Sequence, residues 1–410
     1  DRDIRGVLTM DEAGPSGISR RSLMLGSSAL LAMVASPALI GRAEAQPVAA
    51  LRSGELLTPP SFAGRIGNFA GVRPYRTGGV RIEAVPIGGN RFIIHNYGHG
   101  GAGITLSWGT ARAVVGILRS LEGRVGRLDT LSVGIVGSGV AGLTVATLLR
   151  QRFPRMPITI YSKDRVEATT SFVAGGQFAP AGMAGVYRGR TAELHALVQG
   201  SFDELTQLRR GGRGADYGIF ERFNYTLTRN DSFESAVPRS VVPAPSIGRM
   251  PFATMRSVVG FEYKTMLVDP TILLPRLLRD LRGRQRFTVV NRMFGSAAEI
   301  QRLPQSVIIN CSGFGAKALF GDANLVPIRG QIVRFQNSQR LRYFFSEGCD
   351  LPGTTATYLF CRRNDIIVGG TYEPSISSSR PVSADCDRIV NRMRALVGNG
   401  NLAVCQVPAS

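Results

Sequence analysis

The sequence predicts an α/β protein built around a Rossmann-like dinucleotide-binding domain, and three observations predict it. The short apolar run Leu131 to Val136 is followed directly by Gly137-Ser138-Gly139-Val140-Ala141-Gly142 and then by a helical pattern from Leu143 to Arg152. That is G-x-G-x-x-G in a strand–turn–helix setting. A second strand-like run, Ile158 to Tyr161, comes at the distance such a unit needs. Further helical stretches, Glu193 to Leu208 and Thr271 to Leu281, alternate with strand runs, the pattern of a mixed α/β fold.

Each part of the glycine fingerprint has its own task. Gly137 permits the tight turn, Gly139 lets the backbone approach a pyrophosphate, and Gly142 lets helix and strand pack closely. Ser138, Val140 and Ala141 complete the turn and open the helix, whose N-terminus supplies a partial positive charge. After the second strand an acidic residue is expected to meet a ribose. Lys163 stands in that place and Asp164 follows it, so Asp164 is the candidate acid. The motif alone leaves FAD and NAD both open.

Composition bounds the rest. With 410 residues, 44% of them hydrophobic, the chain folds rather than staying disordered, and it has length for two domains. There are 49 basic and 29 acidic residues, a formal charge of +20, and all the basic residues but Lys163, Lys264 and Lys317 are arginine. Such a balance invites a nucleic-acid reading. The arginines are spread along the sequence, however, and the run Arg209 to Gly214 has no aromatic residue interleaved to stack a base, so no nucleic-acid partner is expected. Five cysteines without C-x-x-C and three histidines build no zinc-type cluster; no metal is expected, and disulfide pairing stays open.

Residues 1–45 read as a removable export signal. Arg20-Arg21 precedes Leu23, an apolar run extends from Gly26 to Ile40, and Ala43-Glu44-Ala45 forms a small-x-small cleavage site. The paired arginines match a twin-arginine signal, which exports folded proteins. The apolar run, about fifteen residues, is shorter than the roughly 20 that a membrane span needs, so no stable membrane anchor is expected. The expected location is periplasmic or secreted.

After the second strand comes Ala168-Thr169-Thr170-Ser171-Phe172-Val173-Ala174-Gly175-Gly176-Gln177-Phe178-Ala179-Pro180. Together with the fingerprint this resembles the D-amino-acid oxidase family of FAD enzymes, in which a Thr-Thr pair and a glycine-containing turn lie against the flavin. The resemblance continues at Ile309-Asn310-Cys311-Ser312-Gly313, Arg329-Gly330-Gln331-Ile332 and Asp365 to Thr371, and covers most of the chain from about 131 to about 405. Two segments that normally close the family stand instead near the other end. Gly71-Val72-Arg73-Pro74 resembles the Gly-x-Arg-Pro strand, and Ile94-His95-Asn96-Tyr97-Gly98-His99-Gly100-Gly101-Ala102-Gly103-Ile104-Thr105 resembles the glycine-rich segment before the last helix, here Thr110 to Leu121. The resemblance therefore implies a circular permutation, with the link 122–129 joining the moved segment to the first strand. Termini of compact domains often lie together at the surface, so such a cut is tolerable.

What the resemblance implies for the site is specific. Arg73 would clamp a substrate carboxylate, since a guanidinium binds that group as a planar fork. Tyr358 would hydrogen-bond the same carboxylate, and the carbonyl of Gly101 would accept from the substrate amine. Thr169, Thr170, Gly176 and Gln177 would lie against the FAD, and backbone N–H groups from Gly100 through Gly103, Ile104 and Thr105 would meet its ring. Hydride would pass directly from the α-carbon to the flavin without a side-chain base, so His99 is structural. The substrate would be a small-molecule D-amino acid, giving an imino and then a keto acid. Oxygen would accept the electrons and yield hydrogen peroxide, or another acceptor would do so in a dehydrogenase of the same fold. Oligomeric state is open.

Departures from the family pattern bear on specificity. Ala102, Ala181 and Thr354 replace tyrosines that often wall the family's pocket, and Arg81 and Arg329 are further candidate cations near the flavin. The resemblance adds a mixed-sheet substrate domain interleaved with the FAD domain. The expected division is 46–70 as a linker or arm, 71–180 plus 259–325 as the FAD domain, and 181–258 plus 326–410 as the substrate domain.

Overall fold

The structure, a computed structural model, describes residues 56–180, 182–229, 231–347 and 357–399. In chain order the elements begin with β1 (Arg65–Arg76), β2 (Arg81–Pro86), β3 (Phe92–Tyr97), α1 (Gly103–Ser120), β4 (Val133–Val136), α2 (Val140–Arg152) and β5 (Ile158–Ser162). Next come α3 (Thr170–Val173), α4 (Met183–Val186), α5 (Thr191–Arg209), β6 (Ile219–Thr226), α6 (Asp231–Ala236), β7 (Ser246–Arg249) and β8 (Val259–Val268). Then follow α7 (Pro270–Arg282), β9 (Phe287–Asn291), α8 (Ala297–Gln301), β10 (Val307–Asn310), α9 (Ala316–Phe320) and β11 (Leu325–Gln336). The last are β12 (Tyr343–Ser346), β13 (Tyr358–Cys361), β14 (Asp365–Gly369), β15 (Glu373–Pro374) and α10 (Ser383–Asn399). The expected export signal, Ala181, Thr354 and two of the five cysteines, Cys349 and Cys405, lie outside the described residues.

The strands form two sheets, and the fold is the mixed α/β one expected. The smaller, in the order β2-β3-β10-β4-β5-β9, is parallel except for the antiparallel edge strand β2. Its inner strands β3, β4 and β10 are buried along their whole length, as continuous apolar strands covered on both faces must be. Helices α1, α2, α5 and α7 bury their apolar residues in the core shared with this sheet. Helix α7 shows why such a helix starts where it does: Asp269 accepts the Thr271 N–H at 3.0 Å, Pro270 fills the first turn, and Leu273, Leu274, Leu277 and Leu281 form the buried stripe.

The larger sheet runs β1-β11-β14-β13-β12-β6-β8-β7, with β15 added on β11. Strands β1 and β8 belong to it, so Arg65–Ala70, expected as linker or arm, continue a strand, and Val259–Val268 lie outside the smaller sheet. The physical cause is register: β1 pairs with β11 from Arg65 to Arg76, and β8 with β6 from Ile219 to Thr226. Helix α1 begins at Gly103, seven residues before the expected Thr110. Ile104 to Ala111 are all buried, so no polar face marks that first half in the sequence. Cys311, Cys361 and Cys386 are buried free thiols. Among the described residues no helix is long and apolar enough to cross a membrane, and no group of three metal-ligating side chains is present.

Candidate functional site

Strand β4 delivers the chain into the glycine turn. Gly137 has φ +108°, and a Cβ there would come 2.4 Å from the Cys311 carbonyl oxygen, so only glycine passes. A Cβ on Gly142 would lie 2.0 Å from the Gly137 carbonyl oxygen, which is the close helix–turn approach the spacing predicted. Gly139 is the N-cap of α2, and neither a side-chain cap nor a first-turn acid accompanies it. Helix α1 likewise starts from Ala102 with no side-chain cap and no acid. The two helix starts abut, since a Cβ on Gly103 would sit 3.5 Å from Val140 Cγ1. Two positive helix ends with no anion of their own make a cradle for an anionic or oxygen-rich group, which is what a dinucleotide carries.

The candidate cofactor residues surround this point. Ser138 and Ser162 hydroxyls meet at 2.7 Å, and Ser162 donates to the Asp164 carbonyl at 2.8 Å, fixing the turn after β5. The Lys163 ammonium lies 3.4 Å from the Asp164 carboxylate, and both are exposed at the end of β5. Val140 N–H donates to Ser171 Oγ at 3.1 Å. The Thr169 hydroxyl donates to the Val166 carbonyl at 2.7 Å and that of Thr170 to the Val72 carbonyl at 3.3 Å, so Thr170 joins this segment to β1. Gly176 accepts the Val268 N–H at 2.7 Å, and the Gln177 amide donates to the Tyr263 hydroxyl at 3.3 Å, tying the segment to β8.

The glycine-rich segment before α1 differs from expectation at two positions. Gly100 N–H donates to the Pro74 carbonyl and Ala102 N–H to the His99 carbonyl, both at 2.9 Å, so these two donors are spent within the protein. The helical ladder opens with Leu106 N–H on the Ala102 carbonyl, which leaves Gly103, Ile104 and Thr105 as the leading N–H groups of α1. The Thr105 side chain is also engaged, donating to the Ala179 carbonyl at 2.8 Å. His99 is buried with Nε2 3.0 Å from the Thr110 hydroxyl, and burial lowers its pKa to about 4, so it is neutral.

Arg73 and Tyr358 are brought together. Arg73 sits on β1 and donates from Nη1 to the Thr371 carbonyl at 3.1 Å, and its charge acts on the Tyr358 hydroxyl. A Cβ on Gly330 would fall 2.3 Å from Arg73 Nη2, and one on Gly369 2.4 Å from the Tyr358 ring, so both side chains lie flat on bare backbone. Burial raises the Tyr358 pKa and Arg73 partly opposes it; the net is upward, and the phenol keeps its proton. Tyr358 stacks on Phe360 with centroids 4.4 Å apart, and Phe360 meets Phe344 at 4.8 Å, forming an apolar wall. Through the Gly100–Pro74 bond and the Tyr75–His99 bridge, Gly101 is held beside the Arg73 strand, and it is exposed.

Charge distinguishes Arg73 from its neighbours. Arg76 pairs with Asp322 at 2.9 Å, and Arg81 with Glu83 at 2.5 Å. Arg329 forms its ion pair with Glu373. Arg81 and Arg329, the further candidate cations near the flavin, each have a carboxylate partner within the protein. Arg73 has no carboxylate partner among the described residues. Its support is a chain of contacts that the sequence did not reveal: the Thr371 hydroxyl accepts the Gln331 N–H at 2.9 Å and donates to Glu373, which also accepts from the Gln331 amide at 2.7 Å. The segments Arg329–Ile332 and Asp365–Thr371 contain all but Glu373 of these residues.

Comparison with known proteins places this geometry in context. Residues 132–407 match the family model described as DAO, FAD dependent oxidoreductase. The chain is 25% identical over 278 residues to D-aspartate oxidase of Homo sapiens, covering 66% of this chain and 76% of that protein. It is 28% identical over 265 residues to D-amino-acid oxidase of Streptomyces coelicolor, covering 64% and 77%. A solved glycine oxidase from Bacillus cereus aligns with a TM-score of 0.44 at 16% identity, covering 64% of this chain and 78% of that one.

Proposed function

The chain belongs to the FAD-dependent oxidoreductase family, and from that premise we propose that it oxidises D-amino acids at the α-carbon and returns the electrons to oxygen. The enzyme is of D-amino-acid-oxidase type and its cofactor is FAD. The observation that carries the substrate reading is the guanidinium of Arg73, placed beside the Tyr358 hydroxyl with no carboxylate partner among the described residues. FAD, when bound, supplies the hydride acceptor.

The residues of the chain do the rest. The Arg73 fork and the Tyr358 O–H orient the substrate carboxylate, and the exposed Gly101 segment offers a carbonyl acceptor to the neutral amine. The cradle fits FAD by its two helix starts, neither of which has an acidic residue in its first turn, with Gly137, Gly139 and Gly142 giving the backbone access. The leading N–H groups of α1 stabilise negative charge placed at that helix end. The smaller sheet with its helices would hold FAD, and the larger sheet would carry the substrate.

The rearranged order is part of the proposal. Strands β1 and β3 and helix α1 precede the family match, yet β3 pairs with β10 and β1 with β11, both inside it. This supports a circular permutation, and a gene in which 46–131 follow 405 should yield a yellow, FAD-loaded protein. The pattern in residues 1–45 supports twin-arginine export to the periplasm or beyond, and Arg20→Lys with Arg21→Lys should abolish it.

Anaerobic flavin reduction across D-amino acids, L-amino acids and glycine tests the main reading. Bleaching by D-amino acids supports it, and bleaching by L-amino acids alone overturns it. Oxygen uptake matching substrate loss supports the oxidase, whereas dye reduction without oxygen uptake reassigns the acceptor.

A further inference from the structure

The arginines that are dispersed in sequence converge in space. Each crossover of the smaller sheet ends at the strand edge opposite the glycine turn. The end of α1 and its link to β4 carry Arg119, Arg124 and Arg127; the end of α2 and its link to β5 carry Arg150, Arg152 and Arg155; the end of α7 and its link to β9 carry Arg279, Arg282, Arg284 and Arg286. Because β4, β5 and β9 are parallel neighbours or next neighbours, their N-terminal ends lie side by side, and the three links with them. Direct contacts confirm the convergence. Arg150 Nη2 donates to the Arg286 carbonyl at 3.2 Å, Arg286 Nη1 reaches the Arg155 carbonyl at 3.4 Å, and Arg119 lies over the Phe153 ring. Arg124 stacks over Phe92 at the start of β3, which brings that link to the same edge.

The density exceeds the chain's general arginine bias. In segments 119–127, 150–155 and 279–286, ten of 23 residues are arginine and only Glu122 and Asp280 are acidic, against about one arginine in nine overall. All ten but Arg150 are exposed. Arg155 pairs with Asp129 and Arg152 with Glu204, while Arg119, Arg124, Arg127, Arg279, Arg282, Arg284 and Arg286 have no carboxylate partner among the described residues. With strands about 4.8 Å apart, neighbouring links are within roughly a Debye length of one another, so their fields add.

We infer that this edge is a docking surface for an anionic phospholipid bilayer, bound through lipid phosphates. Arginine forks grip phosphate oxygens in pairs. No large apolar side chain is exposed within the three segments, so the contact is electrostatic and reversible rather than inserted. No exposed aromatic residue stands there to stack nucleic-acid bases. The fingerprint turn and Lys163 follow the opposite, C-terminal ends of β4 and β5, so a docked molecule keeps the FAD cradle and the Arg73 site turned away from the lipid.

The test uses the FAD-loaded protein and flotation with vesicles of equimolar phosphatidylglycerol and phosphatidylcholine. Binding is expected at low salt, falling steeply as salt rises, and absent on phosphatidylcholine alone. Reversal of Arg279, Arg282 and Arg284 to Glu should weaken it at least about tenfold. Reversal of Arg249, Arg256 and Arg342, exposed arginines on or beside strands of the larger sheet and outside the three segments, should leave it within about twofold. If the first variant loses FAD, Arg124→Glu with Arg127→Glu serves in its place. Failure to float, equal binding to neutral vesicles, equal loss in both variants, or tighter binding to duplex DNA than to vesicles at the same salt would each overturn the assignment.

Discussion

The guanidinium of Arg73 rests on Gly330 and the ring of Tyr358 on Gly369, so a cation from β1 and a phenol from β13 lie on the bare backbone of the paired strands β11 and β14. Among the described residues neither side chain has a carboxylate partner, and each lies over a glycine that leaves room for it. A carboxylate arriving there completes the hydrogen bonding of both groups. Removing Arg73 should therefore act on substrate binding before anything else. Arg73→Leu should raise the apparent substrate constant about a hundredfold, the scale of two lost charge-assisted hydrogen bonds. Arg73→Lys should recover only part, because an ammonium has no fork. Steady-state kinetics with a D-amino acid, alongside an unchanged flavin spectrum, checks both.

Gly330 gives a test that leaves the charge intact. A methyl group at Gly330 would stand 2.3 Å from Arg73 Nη2 and force the guanidinium to move. Gly330→Ala should raise the substrate constant at least about tenfold, since displacement by about 1 Å costs as much in oriented sites. FAD content should be unaltered.

Gly142 tests the cradle. In an exposed helix Gly→Ala gains about 1 kcal/mol of propensity. Here the added Cβ would lie 2.0 Å from a carbonyl oxygen of the glycine turn, which backbone must relieve by shifting. Gly142→Ala should yield protein depleted of FAD, read from the ratio of flavin to protein absorbance.

Two buried histidines set an acid limit. Burial is the leading cause that lowers the pKa of both His95 and His99 from 6.5 to about 4. The unfolded chain binds protons to these groups between about pH 6.5 and 4 and the folded one does not, so stability falls as pH drops through that window and levels below about 4. The full effect is about 3 kcal/mol for each histidine. Denaturant midpoints measured across this range should show the fall, and His99→Gln should flatten part of it.

The cradle was legible in the sequence because its parts are local: a strand, a turn and a helix within Val133 to Arg152. Arg73, Tyr358 and Gly101 could be nominated from their motifs, but not their surroundings. That Arg73 rests on Gly330 follows from pairing of β1 with β11, where Gly71 faces Gly330 and Arg73 faces Ile328, and no local pattern encodes such a register. The spent donors of Gly100 and Ala102 depend on the same docking of β1 beside the glycine segment. The arginine edge was hidden for a related reason: three crossover links separated by more than twenty residues meet only when the parallel strands assemble.

The pairing of β3 with β10 also orders events in time. Residues such as His95 and Asn310, joined by a hydrogen bond, are 215 positions apart, and Arg76 and Asp322 are 246 apart. A ribosome adding about 5 to 20 residues each second releases β1, β3 and α1 many seconds before their partners exist. During that interval the apolar strand Phe92–Tyr97 has an open edge and no neighbour but β2. Contacts this distant in sequence also slow folding itself. Chaperone demand during synthesis is therefore a built-in cost of the segment order, and it should ease in a chain whose order is reversed.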